Sequence, residues 1–261
     1  MTSGAAPPVV VYQMGKVGSS SLARSLAEHL PHRKVYQVHH LSYDRIGRFV
    51  VQHYPRMHPH ILESLEVRRL MEQLKSHSSN GTPDPPLKII SAVRDPVARN
   101  VSAFFENLQS FAPEEMRQIR QGTVRPGHLR TAFLERYPHD LPITWFSMEP
   151  ARVLDTDPLK YSFDRQQGVQ HLKGPWFDLQ ILRLENADTW PEQVQTFLGC
   201  EPFRIAGSNL GSRKYYSEAY QVFKQQAALP ADYLDRLYDA PATRHFYTPD
   251  EIQRFRARWS S

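Results

Sequence analysis

One cysteine, Cys200, stands in 261 residues. An intrachain disulfide is therefore excluded, and a chain so poor in thiols suits a reducing, cytoplasmic compartment. No window approaches the run of about 18 apolar residues needed to cross a bilayer, so no membrane span is expected. The start, MTSGAAPPVVVYQ, lacks a basic n-region, and its apolar run is only Val9 to Tyr12, too short for a secretory leader. Charge of one sign is also sparse. Lys and Arg number 32 and Asp and Glu 27, so the net charge is +5 with His neutral, and the basic residues are scattered. That balance favours anionic partners but makes no case for nucleic acid. No cluster has metal-ligand spacing, and no metal is expected. Internal repeats and low-complexity tracts are absent.

What remains is an ordinary globular composition, 40% hydrophobic and 23% charged, in a chain long enough to bury a sizeable core unaided. Met1 to Pro8 reads as a loose tail and residues 9–261 as a single domain. Val9 to Gln13 is a short β-branched run, hence a buried strand, and a glycine- and serine-rich turn follows it. Ser20 to Leu30 carries leucines at helical spacing. Lys34 to His39 predicts a second strand, Pro59 to Lys75 an amphipathic helix, and Ser76 to Pro86 a surface loop. Lys88 to Val93 predicts a third strand, followed by a proline-opened helix to Leu108. Residues 109–174 are punctuated by proline and predict short helices, a helical insertion on the substrate side. Phe177 to Leu184 predicts another strand. Thr189-Trp-Pro-Glu192 and Thr248-Pro-Asp-Glu251 each read as a capping box opening a helix. Strands alternating with helices imply an α/β fold, a P-loop-like parallel sheet flanked by helices. Ligands of such sheets sit beyond the carboxyl ends of the strands.

The most informative segment is VVVYQ-MGKVGSSS-LARSL. A glycine loop between a strand and a helix presents backbone N–H groups and a positive helix end, which together cradle an anion. Gly15 and Gly18 allow close backbone approach, Lys16 adds a point charge, and Ser19, Ser20 and Ser21 offer hydroxyls. A Walker A loop is excluded, because Lys16 lies between the glycines and Val17 occupies the place of the hydroxyl that would meet Mg²⁺. The structural alternative is a tight turn with serine caps. Gly15-Lys-Val-Gly-Ser-Ser-Ser21 resembles the 5′-phosphosulfate loop of sulfotransferases that use 3′-phosphoadenosine 5′-phosphosulfate (PAPS). The resemblance would set Lys16 near the bridging oxygen and the sulfuryl group, with Gly18, Ser19 and Ser20 around the 5′-phosphate.

A second match lies in Lys88-IISAVRDPVARNVSAFF. Arg94 ends the strand, and Ser102 comes about two helical turns later. In the same sulfotransferases an arginine and a serine so placed bind the 3′-phosphate. The alternative is a buried Arg94–Asp95 pair with Ser102 packing nearby. Leu179-QILRLEN and Phe197-Leu-Gly199 agree more loosely, with Glu185 read as structural. Asn209-LGSRKYYS resembles the Asn-Lys-Trp-Tyr-Ser signature of a bacterial branch of capsular polysaccharide synthesis proteins, here altered to Arg-Lys-Tyr-Tyr-Ser. Arg213 and Lys214 could close over the 3′-phosphate or form a solvated basic turn. Residues 109–174 match neither pattern.

Sulfuryl transfer needs a base for the acceptor hydroxyl, and histidine titrates in the right range. His39 and His40 end the second predicted strand, where alternation would let only one face the cleft. His40-Leu-Ser-Tyr43 resembles the stretch holding the catalytic histidine of polysaccharide uronosyl sulfotransferases, which favours His40 over His39. Glu106 is a carboxylate alternative. The resemblance thus implies a PAPS-dependent sulfotransferase, releasing 3′-phosphoadenosine 5′-phosphate and acting on an acceptor alcohol, a carbohydrate or a small molecule. Rival readings are a nucleotide-dependent kinase and a non-catalytic nucleotide- or polyanion-binding module.

Overall fold

The computed structural model describes residues 7–53, 59–78, 85–205 and 214–260. Residues 1–6 of the expected tail, 79–84 of the expected loop and Arg213 lie outside the described residues. The chain divides into two compact units, Met1–Val93 with Trp145–Ala206, and Arg94–Thr144 with Gly207–Ser261.

The first unit holds a five-stranded sheet. In chain order its elements begin β1 (Val9–Tyr12), α1 (Ser19–His29), β2 (Val35–Val38), α2 (Tyr43–His53), α3 (Pro59–Ser78) and β3 (Leu87–Val93). After the insertion come β4 (Val169–Lys173) and β5 (Phe177–Arg183). The spatial order is β2-β1-β3-β5-β4. β1 pairs in parallel with β2 and β3, and β3 with β5, while β4 runs antiparallel to β5. The sheet is thus mixed and mostly parallel, in an α/β fold flanked by helices. β1 is buried at every residue and β5 likewise, as expected of strands covered on both sides. The edge strand β4 alternates instead, with Gln170 and Leu172 buried and His171 and Lys173 exposed. That pattern, five residues long, is too brief to stand out in the sequence, and β4 is an element the sequence reading lacks.

The strand order fixes where a ligand should bind. β1 leads outward to β2, but the chain returns to place β3 on the other side of β1. The order therefore reverses between β1 and β3, and crevices open at such switch points beyond the carboxyl ends of the strands. The loop 13–18 begins there.

The second unit is helical in its described residues. It includes α4 (Pro96–Glu106), short helices at Pro113–Gln121 and Pro126–Arg136, and the late helices Ser217–Gln226, Ala231–Tyr238 and Pro249–Ser260. Its core is aromatic. Phe104 and Phe133 meet edge-to-face at 5.4 Å, as do Phe105 and Phe223. His139 is buried among these rings, facing the Phe133 carbonyl oxygen at 2.8 Å and the Tyr233 hydroxyl at 3.1 Å, and burial pushes its pKa down.

The capping boxes part company. At Thr248 the box forms: Thr248 N–H donates to Glu251 Oε2 at 2.9 Å, and Glu251 N–H to Thr248 Oγ1 at 3.3 Å. At Thr189 it does not. The residue already has helical dihedrals, and its hydroxyl donates back to the Asn186 carbonyl at 2.9 Å, within the turn of Leu184–Asn186. A preceding turn of 3₁₀ helix has taken the hydroxyl that the box requires.

Candidate functional site

β1 delivers Gln13 and Met14, both buried, into a loop of unusual backbone. Gly15, Lys16 and Gly18 all have positive φ, at 77°, 63° and 84°. For lysine this left-handed conformation costs on the order of 1 kcal/mol, and such strain gathers at ligand clamps. Lys16 is partly exposed and Ser20 exposed, whereas Val17 is wholly buried and anchors the loop in the core. The Val17 side chain therefore cannot meet a ligand, and only its backbone could. Gly18 is required by packing as well as by φ. A Cβ there would lie 2.7 Å from Leu184 Cδ1 and 3.1 Å from the Trp190 ring.

α1 starts at Ser19 with Gly18 as N-cap. No side chain caps it, and no acidic residue lies in its first turn, so its positive end is not neutralised locally. Ser19 is buried. The Gln37 amide, reaching over from β2, donates to Ser20 Oγ at 3.1 Å and approaches Ser19 Oγ at 3.4 Å. Accepting that bond leaves the Ser20 O–H available as a donor. Backbone N–H groups, a lysine and serine hydroxyls at an uncapped helix start form a donor set suited to a phosphate group.

His39 lies against this loop. A Cβ on Gly15 would stand 3.8 Å from His39 Cε1. His39 Nδ1 is 2.8 Å from the Gln13 carbonyl oxygen and 3.2 Å from Gln13 Nε2. A carbonyl only accepts, so the nearer contact puts the proton on Nδ1 and makes Nε2 the basic nitrogen of the neutral ring. The same glutamine fixes the loop, since Gly15 N–H donates to Gln13 Oε1. The His39 carbonyl accepts from Trp145 Nε1 at 3.3 Å.

His40 keeps different company. Its Nδ1 is 3.8 Å from Glu149 Oε1. Glu149 is fully buried and gathers four donors: Tyr12 Oη at 2.6 Å, Leu41 N–H at 2.8 Å, Ser42 N–H at 3.1 Å and Ser42 Oγ at 2.6 Å. Arg45 Nε stands 3.7 Å away. Burial alone would raise the Glu149 pKa, but the nearby His40 imidazole and the hydrogen bonds from Leu41, Ser42 and Tyr12 together hold it below the ordinary value. Burial and the neighbouring carboxylate push the Tyr12 hydroxyl well up. The His40-Leu-Ser-Tyr43 stretch is thus held by one carboxylate that no sequence motif announces.

β2 ends at Val38, paired with Tyr12, so the two histidines lie beyond the strand. The alternation expected of them does not apply, and both line one cavity with Ile46, His60, Ile61 and Ser64.

A family model described as NKWYS, putative capsular polysaccharide synthesis protein, matches residues 130–248, a little under half of the chain. No curated protein matches the chain, and no solved structure does. The matched span contains Glu149 and the segment Arg-Lys-Tyr-Tyr-Ser at 213–217. It also takes in residues 130–174, so the expectation that residues 109–174 match neither pattern fails over that part.

In the helical unit, Arg94 and Ser102 are both partly buried at the start of α4 and along it. Asp95 is buried and accepts several hydrogen bonds. Its Oδ1 caps α4 by accepting from Val97 N–H at 3.0 Å and Ala98 N–H at 3.3 Å, and accepts also from Tyr238 Oη at 2.9 Å. Its Oδ2 accepts from Trp259 Nε1 at 3.4 Å, and burial raises its pKa despite these bonds. Arg99 is buried, donating to Asn100 Oδ1 and to the Tyr137 hydroxyl. Lys214 forms an ion pair with Glu106, which also accepts from Tyr216 Oη at 2.6 Å. Burial and that carboxylate raise the Tyr216 pKa.

Among the described residues no group of three or more His, Cys, Asp or Glu is placed to hold a metal ion. No helix among them is long and apolar enough to cross a membrane.

Proposed function

We propose that this protein is a biosynthetic enzyme that transfers a sulfuryl group from PAPS to a hydroxyl of a carbohydrate. The observation that carries the reading is the loop after β1, with Gly15, Lys16 and Gly18 in left-handed conformation ahead of an uncapped helix. The match to a capsular polysaccharide family supports a carbohydrate as acceptor.

PAPS, when bound, supplies a sulfuryl group on a phosphate leaving group. Lys16, Gly18, Ser19 and Ser20 would hold its 5′-phosphate, joined by Gly15 and Ser21 and by the Val17 backbone, and Lys16 would meet charge as it develops on the bridging oxygen. Arg94 and Ser102 would bind the 3′-phosphate. Arg213 and Lys214 are proposed as a cover for that phosphate, which requires Lys214 to exchange Glu106 for the ligand.

For the base we favour His39. Its Nδ1–H is anchored on Gln13, its ring packs on Gly15, and its Nε2 is the nitrogen able to take the acceptor proton. The acceptor oxygen then forms the new S–O bond as the S–O bond to the phosphate breaks. His40, which the sequence favours, stands beside Glu149 and is the second choice. A kinase reading lacks a hydroxyl after the loop lysine, where the buried Val17 stands.

Calorimetric titration with 3′-phosphoadenosine 5′-phosphate tests the reading. Binding that is independent of Mg²⁺ and stronger than that of 5′-AMP is expected. Preference for ATP with Mg²⁺ would instead identify a kinase.

A further inference from the structure

Gln37 stands beside the glycine loop without belonging to it. Side chains of β2 alternate between its faces, and on one face the Tyr36 hydroxyl donates to Glu66 Oε1 of α3 at 2.6 Å. Gln37 takes the other face, where α1 begins. Its backbone is paired opposite Val11 of β1, and its amide reaches the first turn of α1. There Nε2 donates to Ser20 Oγ at 3.1 Å. The contact with Ser19 Oγ, at 3.4 Å, is near the limit of a hydrogen bond and is the weaker of the two. Gln37 is partly buried and Ser20 exposed.

Resting on the sulfotransferase reading, we infer that Gln37 is a positioning residue for the 5′-phosphate, acting through the Ser20 hydroxyl rather than on the ligand. A serine hydroxyl has one proton, which rotates to suit its partners and, left alone, spreads over three staggered positions. An amide N–H aimed at Oγ repels that proton and turns it away from Gln37. The phosphate proposed for this helix start is an acceptor, so the O–H is then committed to it before the ligand arrives, which lowers the ordering cost of binding. The arrangement has a polarity. A donor at position 37 leaves the Ser20 proton for the ligand, whereas an acceptor there would take the proton for itself.

Calorimetric titration of the full chain tests this with two ligands, 3′-phosphoadenosine 5′-phosphate and adenosine 3′-monophosphate, which lacks the 5′-phosphate. The proteins are the parent, Gln37→Met, Gln37→Glu, Ser20→Ala and the double variant of Gln37→Met with Ser20→Ala. Gln37→Met should weaken the first ligand about three- to tenfold, the scale of one neutral hydrogen bond, and leave the second unchanged. Gln37→Glu, a charged acceptor, should weaken the first by more than about tenfold. In the Ser20→Ala background, Gln37→Met should change affinity by less than about twofold, because no hydroxyl is left to orient. A purely structural role would lower the melting temperature without this non-additivity. Should Gln37→Met fail to fold, Gln37→Ala takes its place in the cycle. Binding of the first ligand by Gln37→Met that equals or exceeds the parent's overturns the assignment, as does a loss that persists without the Ser20 hydroxyl. A parent that does not bind 3′-phosphoadenosine 5′-phosphate overturns the sulfotransferase reading and this role with it, whereas a parent that binds and an additive cycle overturn only the role of Gln37.

Discussion

Tyr12 donates its hydroxyl to Glu149 at 2.6 Å across 137 positions of sequence, and both side chains are fully buried. The bond ties the end of β1, where the glycine loop starts, to the carboxylate that holds Leu41 and Ser42. Removing the carboxylate strands several buried donors at once, each at a cost of about 1–3 kcal/mol. Glu149→Ala should therefore destabilise by roughly 3 kcal/mol or more, read as a lowered denaturant midpoint. Loss of less than about 1 kcal/mol would show that water replaces the carboxylate.

Glu149 also sets an acid limb. Its folded pKa lies below the ordinary 4.5, so the unfolded chain takes up its proton more readily. The stability it contributes is complete above that ordinary value and is lost as pH falls through the depressed folded value. Asp95 has the opposite sign. Its folded pKa is raised above 3.8, so its contribution is present below that value and is lost as pH rises through the folded pKa. Denaturation measured from acid to neutral pH should show a shallower acid limb in Glu149→Gln and a steeper one in Asp95→Asn. Unchanged limbs would mean that other carboxylates govern the acid range.

The glycine loop separates packing from conformation. Gly18→Ala meets Leu184 and Trp190 as well as an unfavourable φ, while Gly15→Ala meets only ordinary contact with His39. Gly18→Ala should cost about 1–3 kcal/mol beyond the backbone strain the two share. Equal melting temperatures for the two variants would contradict this packing argument.

Much of the fold was legible because its signals are local. The β1 run, the Gly-Lys-Val-Gly-Ser-Ser-Ser turn and the leucines of α1 sit within a short stretch, and strand, loop and helix come out in that order. Arg94 after β3 was legible for the same reason. Glu149 was not. It is one acidic residue among many in the sequence, and its partners lie 107 to 137 positions away, so only the folded chain shows that it is buried and bonded. The sequence singles out the histidine pair, but strand alternation misjudges its orientation because pairing with β1 stops at Val38. The cavity needs Ile46, Ile61 and Ser64 from two helices, and nothing in their spacing connects them to His39.

Lys16 should display an opposition between stability and binding. In its left-handed conformation a lysine is strained by about 1–2 kcal/mol, which glycine would relieve at an entropic cost of about 0.5–1 kcal/mol. Lys16→Gly should thus leave stability within about 1 kcal/mol of the parent or slightly above it. The same change removes the charge proposed to face the leaving group. Nucleotide affinity should fall, and transfer should fall further. A variant as stable as the parent that binds nucleotide equally well would reduce Lys16 to a turn residue.

The two histidines can be told apart by where each loss falls. If His39 is the base, His39→Ala should lower the transfer rate by about 10²–10⁴ while nucleotide affinity hardly changes, because the ring is not among the groups proposed to hold a phosphate. His40→Ala should do less to the rate and more to stability, since it removes a partner of the buried Glu149 carboxylate. The neutral tautomer argued for His39 adds a second readout. With its proton on Nδ1 against the Gln13 carbonyl, Nε2 must be the unprotonated nitrogen, and nitrogen-15 shifts of the ring report this directly. A general base acts only in its unprotonated form, so an acid limb of kcat should vanish in His39→Ala while persisting in His40→Ala. The reverse pattern would move the base to His40, with Glu149 holding its Nδ1 side. An acid limb untouched by either change would leave neither histidine as the base and direct attention to a carboxylate.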